Sequence, residues 1–198
     1  MSFANAMPTL KDNDHVLGSL SATLLMMTYG NYPCPKTGLA HDAVQNLRST
    51  LGDQFCFVFR HFPTIERYPQ SQKTAETAEA AGSQGKFWEM HNKLFDNRDA
   101  LDDASLVQYA DELGLEINQF LQELANHVHL ERIHTDVDSA LQYGVSNTPT
   151  FFISVRHEGT ENLEDFVKQI MSVAIKNESK TTDNPVKLAT PSDKTKTS

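Results

Sequence analysis

The chain has 198 residues, which fits one domain, or one domain with an insertion, rather than two. Hydrophobic residues make up 39% and charged residues 22%, enough to build a buried core outside any polar tail. The formal charge of −9 argues against a nucleic-acid or polybasic membrane contact, and two cysteines exclude a disulfide framework or an all-cysteine metal site.

Residues 1–14 lack periodicity and are expected to be disordered. No apolar run reaches the ~20 residues of a membrane helix, so no membrane insertion is expected. Val16 to Tyr29 is the stretch nearest to a signal-peptide core. It follows Lys11-Asp12-Asn13-Asp14-His15, which lacks net positive charge, and Gly18, Ser19, Ser21 and Thr23 interrupt it. The expected location is cytoplasmic. Thiols stay reduced there, so a cysteine is chemical more often than structural.

Ala22 to Tyr29 reads as a first strand, apolar enough to be buried on both faces. Gly30-Asn31-Tyr32-Pro33 breaks it. A helix follows from about Pro35 to Leu51, with Leu39, Ala43, Val44 and Leu47 on one face. Pro35 falls in its first turn, where a missing N–H costs nothing. Phe55 to Phe59 is a second buried strand. Residues 72–143 are helical. Asp102 or Asp103 is an N-cap there, and Gly114 and Gly144 act as stops. Thr150 to Val155 is a strand. Leu163, Phe166, Val167, Ile170 and Met171 mark a last amphipathic helix. Residues 177–198 are polar and expected to be a disordered tail. The order is strand–helix–strand, a helical block, then strand and helix. That is an α/β fold whose first unit is a right-handed βαβ.

The chemistry concentrates in Tyr32-Pro33-Cys34-Pro35-Lys36-Thr37. Cys34 sits where a buried strand turns into a helix. The free N–H groups and dipole of the helix N-terminus favour negative charge there, so a depressed thiol pKa is expected, and Lys36 adds positive charge nearby. The competing reading is an inert buried cysteine. A second segment, Asn147-Thr148-Pro149-Thr150, puts a proline at the mouth of a strand. Local sequence alone favours an ordinary trans peptide there.

These segments together resemble the DsbA-like branch of the thioredoxin superfamily, above all its small bacterial members, which also occur fused behind sodium–proton antiporters. The resemblance is carried in family order by Asp14-His15-Val16-Leu17-Gly18, Tyr29-Gly30-Asn31-Tyr32-Pro33-Cys34-Pro35 and Phe57-Val58-Phe59-Arg60-His61-Phe62-Pro63. It continues through Gly82-Ser83-Gln84-Gly85-Lys86-Phe87-Trp88-Glu89-Met90-His91, Tyr109-Ala110-Asp111-Glu112-Leu113-Gly114-Leu115 and Gly144-Val145-Ser146-Asn147-Thr148-Pro149-Thr150-Phe151-Phe152-Ile153. It implies a thioredoxin-like domain over 15–176. A helical insertion, about 70–143, would separate the βαβ half from the cis-proline ββα half. Cys34 would be the nucleophile. Thr148-Pro149 would be the loop whose cis-proline packs against the sulfur and offers backbone to a bound peptide, which reverses the local preference for trans. Pro35, Lys36 and Thr148 would contact substrate.

The sequence departs from the family's Cys-x-x-Cys motif: Thr37 replaces the second cysteine. In a dithiol protein that second thiolate releases the substrate. With Thr37 there, the expected chemistry uses one cysteine and an external thiol such as glutathione. Thr37 could still stabilise the Cys34 thiolate by a hydrogen bond. Cys56, inside the second strand, is expected to be a core residue rather than a resolving partner. Relatives tend to carry carboxylates at the positions of Thr28, Asn31 and Pro33, and here all three are uncharged. The hairpin after the cis-proline strand, Ile153-Ser154-Val155-Arg156-His157, lacks the family's Asn-Gly, so a longer or bulged connection is expected. His127, His129 and His134 read as a polar helix face rather than a metal site, and no metal or bound cofactor is expected. Phe87 and Trp88 read as core anchors, and Arg60 and His61, which follow the second strand, either line the site or cap the strand end.

The functional expectation is a monothiol thiol–disulfide oxidoreductase acting on protein thiols and disulfides or on glutathione. Two alternatives stay open: a redox-inactive binding module, and a glutathione-dependent transferase or isomerase.

Overall fold

The apolar run beginning at Leu24 becomes an inner strand because both of its faces are covered. The computed structural model describes residues 7–156. Its elements are β1 (His15–Leu17), β2 (Leu24–Gly30), α1 (Pro35–Leu51), β3 (Phe55–His61), α2 (Ser71–Ser83), α3 (Phe87–Asp96), α4 (Asp103–Glu112), α5 (Ile117–Ala125), α6 (Leu130–Gln142) and β4 (Thr150–Val155). The expected last helix, the hairpin beyond Arg156 and the polar tail lie outside the described residues.

The four strands form one sheet in the order β1-β3-β2-β4. β2 and β3 are parallel, joined through α1 as a βαβ unit, while β1 and β4 run antiparallel to their neighbours. The register puts Thr28 between Phe59 and Phe151, in one row across three strands. Side chains of such a row share a face. That face meets α1 and α3, where Phe59 packs edge-on against His91 at 4.5 Å. The opposite face presents Met27, Tyr29 and Val58 to Ala140 of α6. This is an α/β thioredoxin-like arrangement, with α2–α6 inserted between β3 and β4.

The helix boundaries follow local chemistry. Pro35 opens α1 and Gly52 ends it at a positive φ of 52°. Asp102 caps α4 by accepting from the backbone N–H groups of Ala104 and Ser105.

The N-terminal expectation needs correction. Residues 7–14 are packed rather than disordered. Met7 and Leu10 lie against the core beneath α6. Asp14 forms a bidentate pair with Arg60, at 2.7 Å to both Nε and Nη2. Arg60 Nη1 donates to Tyr29 Oη and Ser139 Oγ, and Nη2 also donates to the Thr9 carbonyl. All five guanidinium donors are therefore used, which is what lets the charge stay fully buried. Arg60 is an internal anchor, not a strand-end cap.

Candidate functional site

The strand-to-helix turn sets the position of Cys34. Cys34 is the N-cap of α1, with extended backbone at φ −77° and ψ 117°. Its N–H donates to the Asn31 carbonyl and its own carbonyl accepts from Gly38 N–H, so the turn before the helix and the first turn of the helix both close on this residue. The sulfur therefore lies where the helix leaves its N–H groups unpaired.

The Thr148–Pro149 peptide is cis, as the resemblance implied and local sequence did not. It brings the Thr148 carbonyl to 3.5 Å from Cys34 Sγ, where the thiol donates to it. Thr150 Oγ1 donates to the Asn147 carbonyl and holds that loop. Opposite stands the segment after β3. Asn31 Nδ2 donates to Thr64 Oγ1, and Phe62 N–H donates to the Gly30 carbonyl, so that segment is tied to the Cys34 turn. Between the two loops runs an open groove of about 980 Å³. Cys34, Pro35, Lys36, Thr148 and Pro149 all line it, so the structure brings together five of the six expected site residues. The sixth, Thr37, is buried behind them in the first turn of α1.

The thiol is acidic for a cysteine. Burial pushes its pKa up. The hydroxyls of Thr148 and Thr37, the Thr37 backbone N–H and Tyr68 outweigh burial and bring it from 9.0 to about 7. The bond from S–H to the Thr148 carbonyl favours the neutral form, and the several donors aimed at a thiolate overcome it. Thr37 Oγ1 has no hydrogen-bond partner among the described residues. It still helps lower the thiol pKa, because a thiolate accepts its proton where a thiol does not.

Tyr68 is a site residue the sequence did not expose. It lies on the groove wall in a loop with no periodicity, and only the folding-back of residues 62–70 brings its hydroxyl to the sulfur. Tyr68 N–H donates to the Thr64 carbonyl, Ser71 caps the Tyr68 carbonyl, and Arg67 lies over its ring at 5.5 Å.

Cys56 lies elsewhere. It is fully buried near the start of β3, paired with Leu25, and does not line the groove. Burial raises its thiol pKa, and both cysteines are free. His127 and His129 bond Glu76 and Glu123 separately, and His134 is exposed. A different cluster forms around Glu79, whose Oε1 accepts from His15 Nε2 at 2.9 Å and His61 Nε2 at 2.8 Å. Burial opposes ionisation of Glu79, and the two histidines overcome it and hold the carboxyl far below its usual range. Arg132 supplies counter-charge 3.8 Å away. These three groups could hold a metal ion by spacing. The shared oxygen already accepts two hydrogen bonds, and a divalent ion beside Arg132 would be repelled, so the cluster reads as a structural network.

A family model described as Thioredoxin matches residues 10–172. Among curated proteins, the chain is 41% identical over 158 residues to Na(+)/H(+) antiporter NhaA 1 of Salinispora arenicola, covering 79% of this chain and 24% of that protein. It is 40% identical over 166 residues to Na(+)/H(+) antiporter NhaA 3 of Salinispora tropica, covering 83% and 25%. The chain thus spans about a quarter of the length of these relatives. Among solved structures, BdbD from Bacillus subtilis in its oxidised form superposes with a TM-score of 0.69 at 17% identity, covering 90% of this chain and 100% of that one. The α-DsbA1 of Wolbachia pipientis gives 0.66 at 23% identity, covering 87% and 96%.

Proposed function

We propose that this chain, which belongs to the thioredoxin family, exchanges thiols and disulfides through Cys34 alone. The observation that carries the reading is the acidic Cys34 sulfur against the cis-Pro149 loop in an open groove, with Thr37 three residues on. The Cys34 thiolate attacks one sulfur of a partner disulfide. A mixed disulfide forms and the other sulfur leaves as a thiolate, taking a proton from water. Thr37 has no sulfur with which to displace the adduct. An external thiolate attacks the partner's sulfur in the mixed disulfide instead, so that the Cys34 thiolate leaves and the partner departs as a disulfide with that external thiol. Glutathione in a reducing, cytoplasmic compartment would supply that thiol.

One observation favours the redox-inactive binding module: Cys34 is only 3% exposed. Intact mass separates the two readings. The native protein is exposed briefly to oxidised glutathione beside Cys34→Ser. Exchange requires an adduct that depends on Cys34 and is reversed by reduced glutathione. Reaction only after denaturation would leave the binding module.

A further inference from the structure

The charges that line the Cys34 groove do not follow the charge of the chain. The protein is −9 overall. Besides Cys34 and Tyr68, the ionisable side chains on the groove walls are Lys36, Arg67 and Glu66, two cations and one anion. All three are exposed, and none forms an ion pair among the described residues. The segments that carry them are tied to the Cys34 turn. Lys36 lies in the first turn of α1, two residues after Cys34. Arg67 N–H and Tyr68 N–H both donate to the Thr64 carbonyl, and the Thr64 hydroxyl accepts from Asn31 in the turn before Cys34. The Arg67 guanidinium lies over the Tyr68 ring. Size adds a second constraint. The groove's volume of about 980 Å³ falls within the usual range of small-molecule sites, about 300–1,000 Å³. Cys34 lines this groove while only 3% exposed, so a disulfide on slender chains reaches its sulfur more readily than one fixed in a folded surface.

We propose that this groove binds the glutathionyl group, with Lys36 and Arg67 taking the two carboxylates of the tripeptide and Glu66 its ammonium. Glutathione carries those three charges around a central sulfur, so its charge pattern is the complement of the groove's. This inference rests on the reading that Cys34 exchanges disulfides, and it names the disulfide: glutathione joined to a second thiol. The Cys34 thiolate attacks the glutathionyl sulfur, and the second thiol leaves as a thiolate and takes a proton from water. A glutathione thiolate then attacks that same glutathionyl sulfur. Oxidised glutathione departs and the Cys34 thiolate is restored. The second thiol is thereby reduced and the incoming glutathione oxidised. Both steps act on a glutathionyl group in the groove, so one set of charges serves both.

The test follows adduct formation at Cys34 by intact mass with oxidised glutathione, cationic cystamine and neutral hydroxyethyl disulfide. The first two rates are divided by the third, which removes any change in thiolate content. Wild type should prefer oxidised glutathione over cystamine, and added salt should shrink that preference. Lys36→Gln and Arg67→Gln should each lower the relative glutathione rate about threefold, and the double variant about tenfold. Lys36→Glu/Arg67→Glu should favour cystamine. Glu66→Gln separates a matched site from simple attraction. A matched site loses its ammonium contact, and the relative glutathione rate falls about twofold. Simple attraction makes it rise. A rise in Glu66→Gln, or relative rates unmoved in Lys36→Gln and Arg67→Gln, would overturn the site. Wild-type Cys34 inert to all three disulfides would sink the exchange reading instead. Calorimetric titration with S-methylglutathione, which needs no reactive thiol, would then still decide the site. It should show saturable binding in wild type and about tenfold weaker binding in Lys36→Gln/Arg67→Gln, and no binding to wild type would overturn the proposal.

Discussion

The pH dependence of Cys34 alkylation tests the electrostatics of the site directly. A thiol at its ordinary 9.0 is about 1% thiolate at about pH 7, and one at about 7 is half thiolate, an enrichment of about fiftyfold. A less basic thiolate is a weaker nucleophile. With a Brønsted slope of about 0.4–0.5, the same drop in pKa costs about eightfold in intrinsic rate. The net gain over an ordinary thiol is therefore about sixfold, before burial slows access. Iodoacetamide alkylation, read at Cys34 and Cys56 by peptide mass, should give a Cys34 profile with its midpoint near 7. Cys56 should stay protected until unfolding, since it is completely buried within the sheet. The same balance appears in stability. A pKa depressed by folding contributes stability that is fully present above the unfolded value and lost as pH falls through the folded one. The margin of wild type over Cys34→Ser should therefore grow between about pH 7 and pH 9. It should reach about 1–2 kcal/mol, below the full linkage value because Cys34, though almost fully buried, lines an open groove. A Cys34 alkylation midpoint at or above 9 would refute the reasoning, because the threonine and tyrosine donors would then not outweigh burial.

Three further perturbations follow from other contacts. Asp14→Asn leaves the Arg60 charge buried without a counter-ion and should cost about 3–5 kcal/mol. Circular dichroism should show the thermal midpoint falling by about 6–20 °C, with a smaller loss in Asp14→Leu/Arg60→Met. Gly30→Ala would place a Cβ 2.4 Å from the Phe59 ring and 3.0 Å from the Thr37 methyl. It should cost about 1–3 kcal/mol in urea unfolding and raise the Cys34 pKa by shifting Thr37. Thr37→Cys restores a thiol three residues after Cys34. After treatment with oxidised glutathione, its intact mass should fall by two hydrogens, where wild type gains an adduct.

The segments that could be read from sequence share one property: their pattern is local. β4 runs over the expected Thr150–Val155 and α1 over the expected Pro35–Leu51, because turn residues and apolar spacing bound them. β2 starts two residues later than expected, since Ala22 N–H turns back to Ser19. β3 runs two residues longer, through Arg60 and His61, two polar residues at which apolar patterning ends the strand. β1 has three residues, too few to show alternation, and the order of residues 7–14 depends on partners far along the chain. Arg60 and Asp14 are 46 positions apart, so nothing local says that an arginine in an apolar strand will be neutralised. The same holds for the site. Cys34 and the missing second cysteine stand in the sequence. The contact of Tyr68 with the sulfur depends on how a loop folds back.

The replacement at position 37 removes one chemical step and little else. The side chain there is buried, and its methyl lies where a Cβ on Gly30 would come within 3.0 Å, so the two positions pack closely. Threonine keeps a donor for the sulfur, so the device that makes Cys34 acidic survives. The covalent route back from a mixed disulfide does not. An adduct on this protein would then persist for a time set by the external thiol, and turnover would scale linearly with that thiol's concentration. In a dithiol relative the release step is intramolecular and independent of it. The order of reaction in glutathione therefore reports the substitution more directly than the rate does.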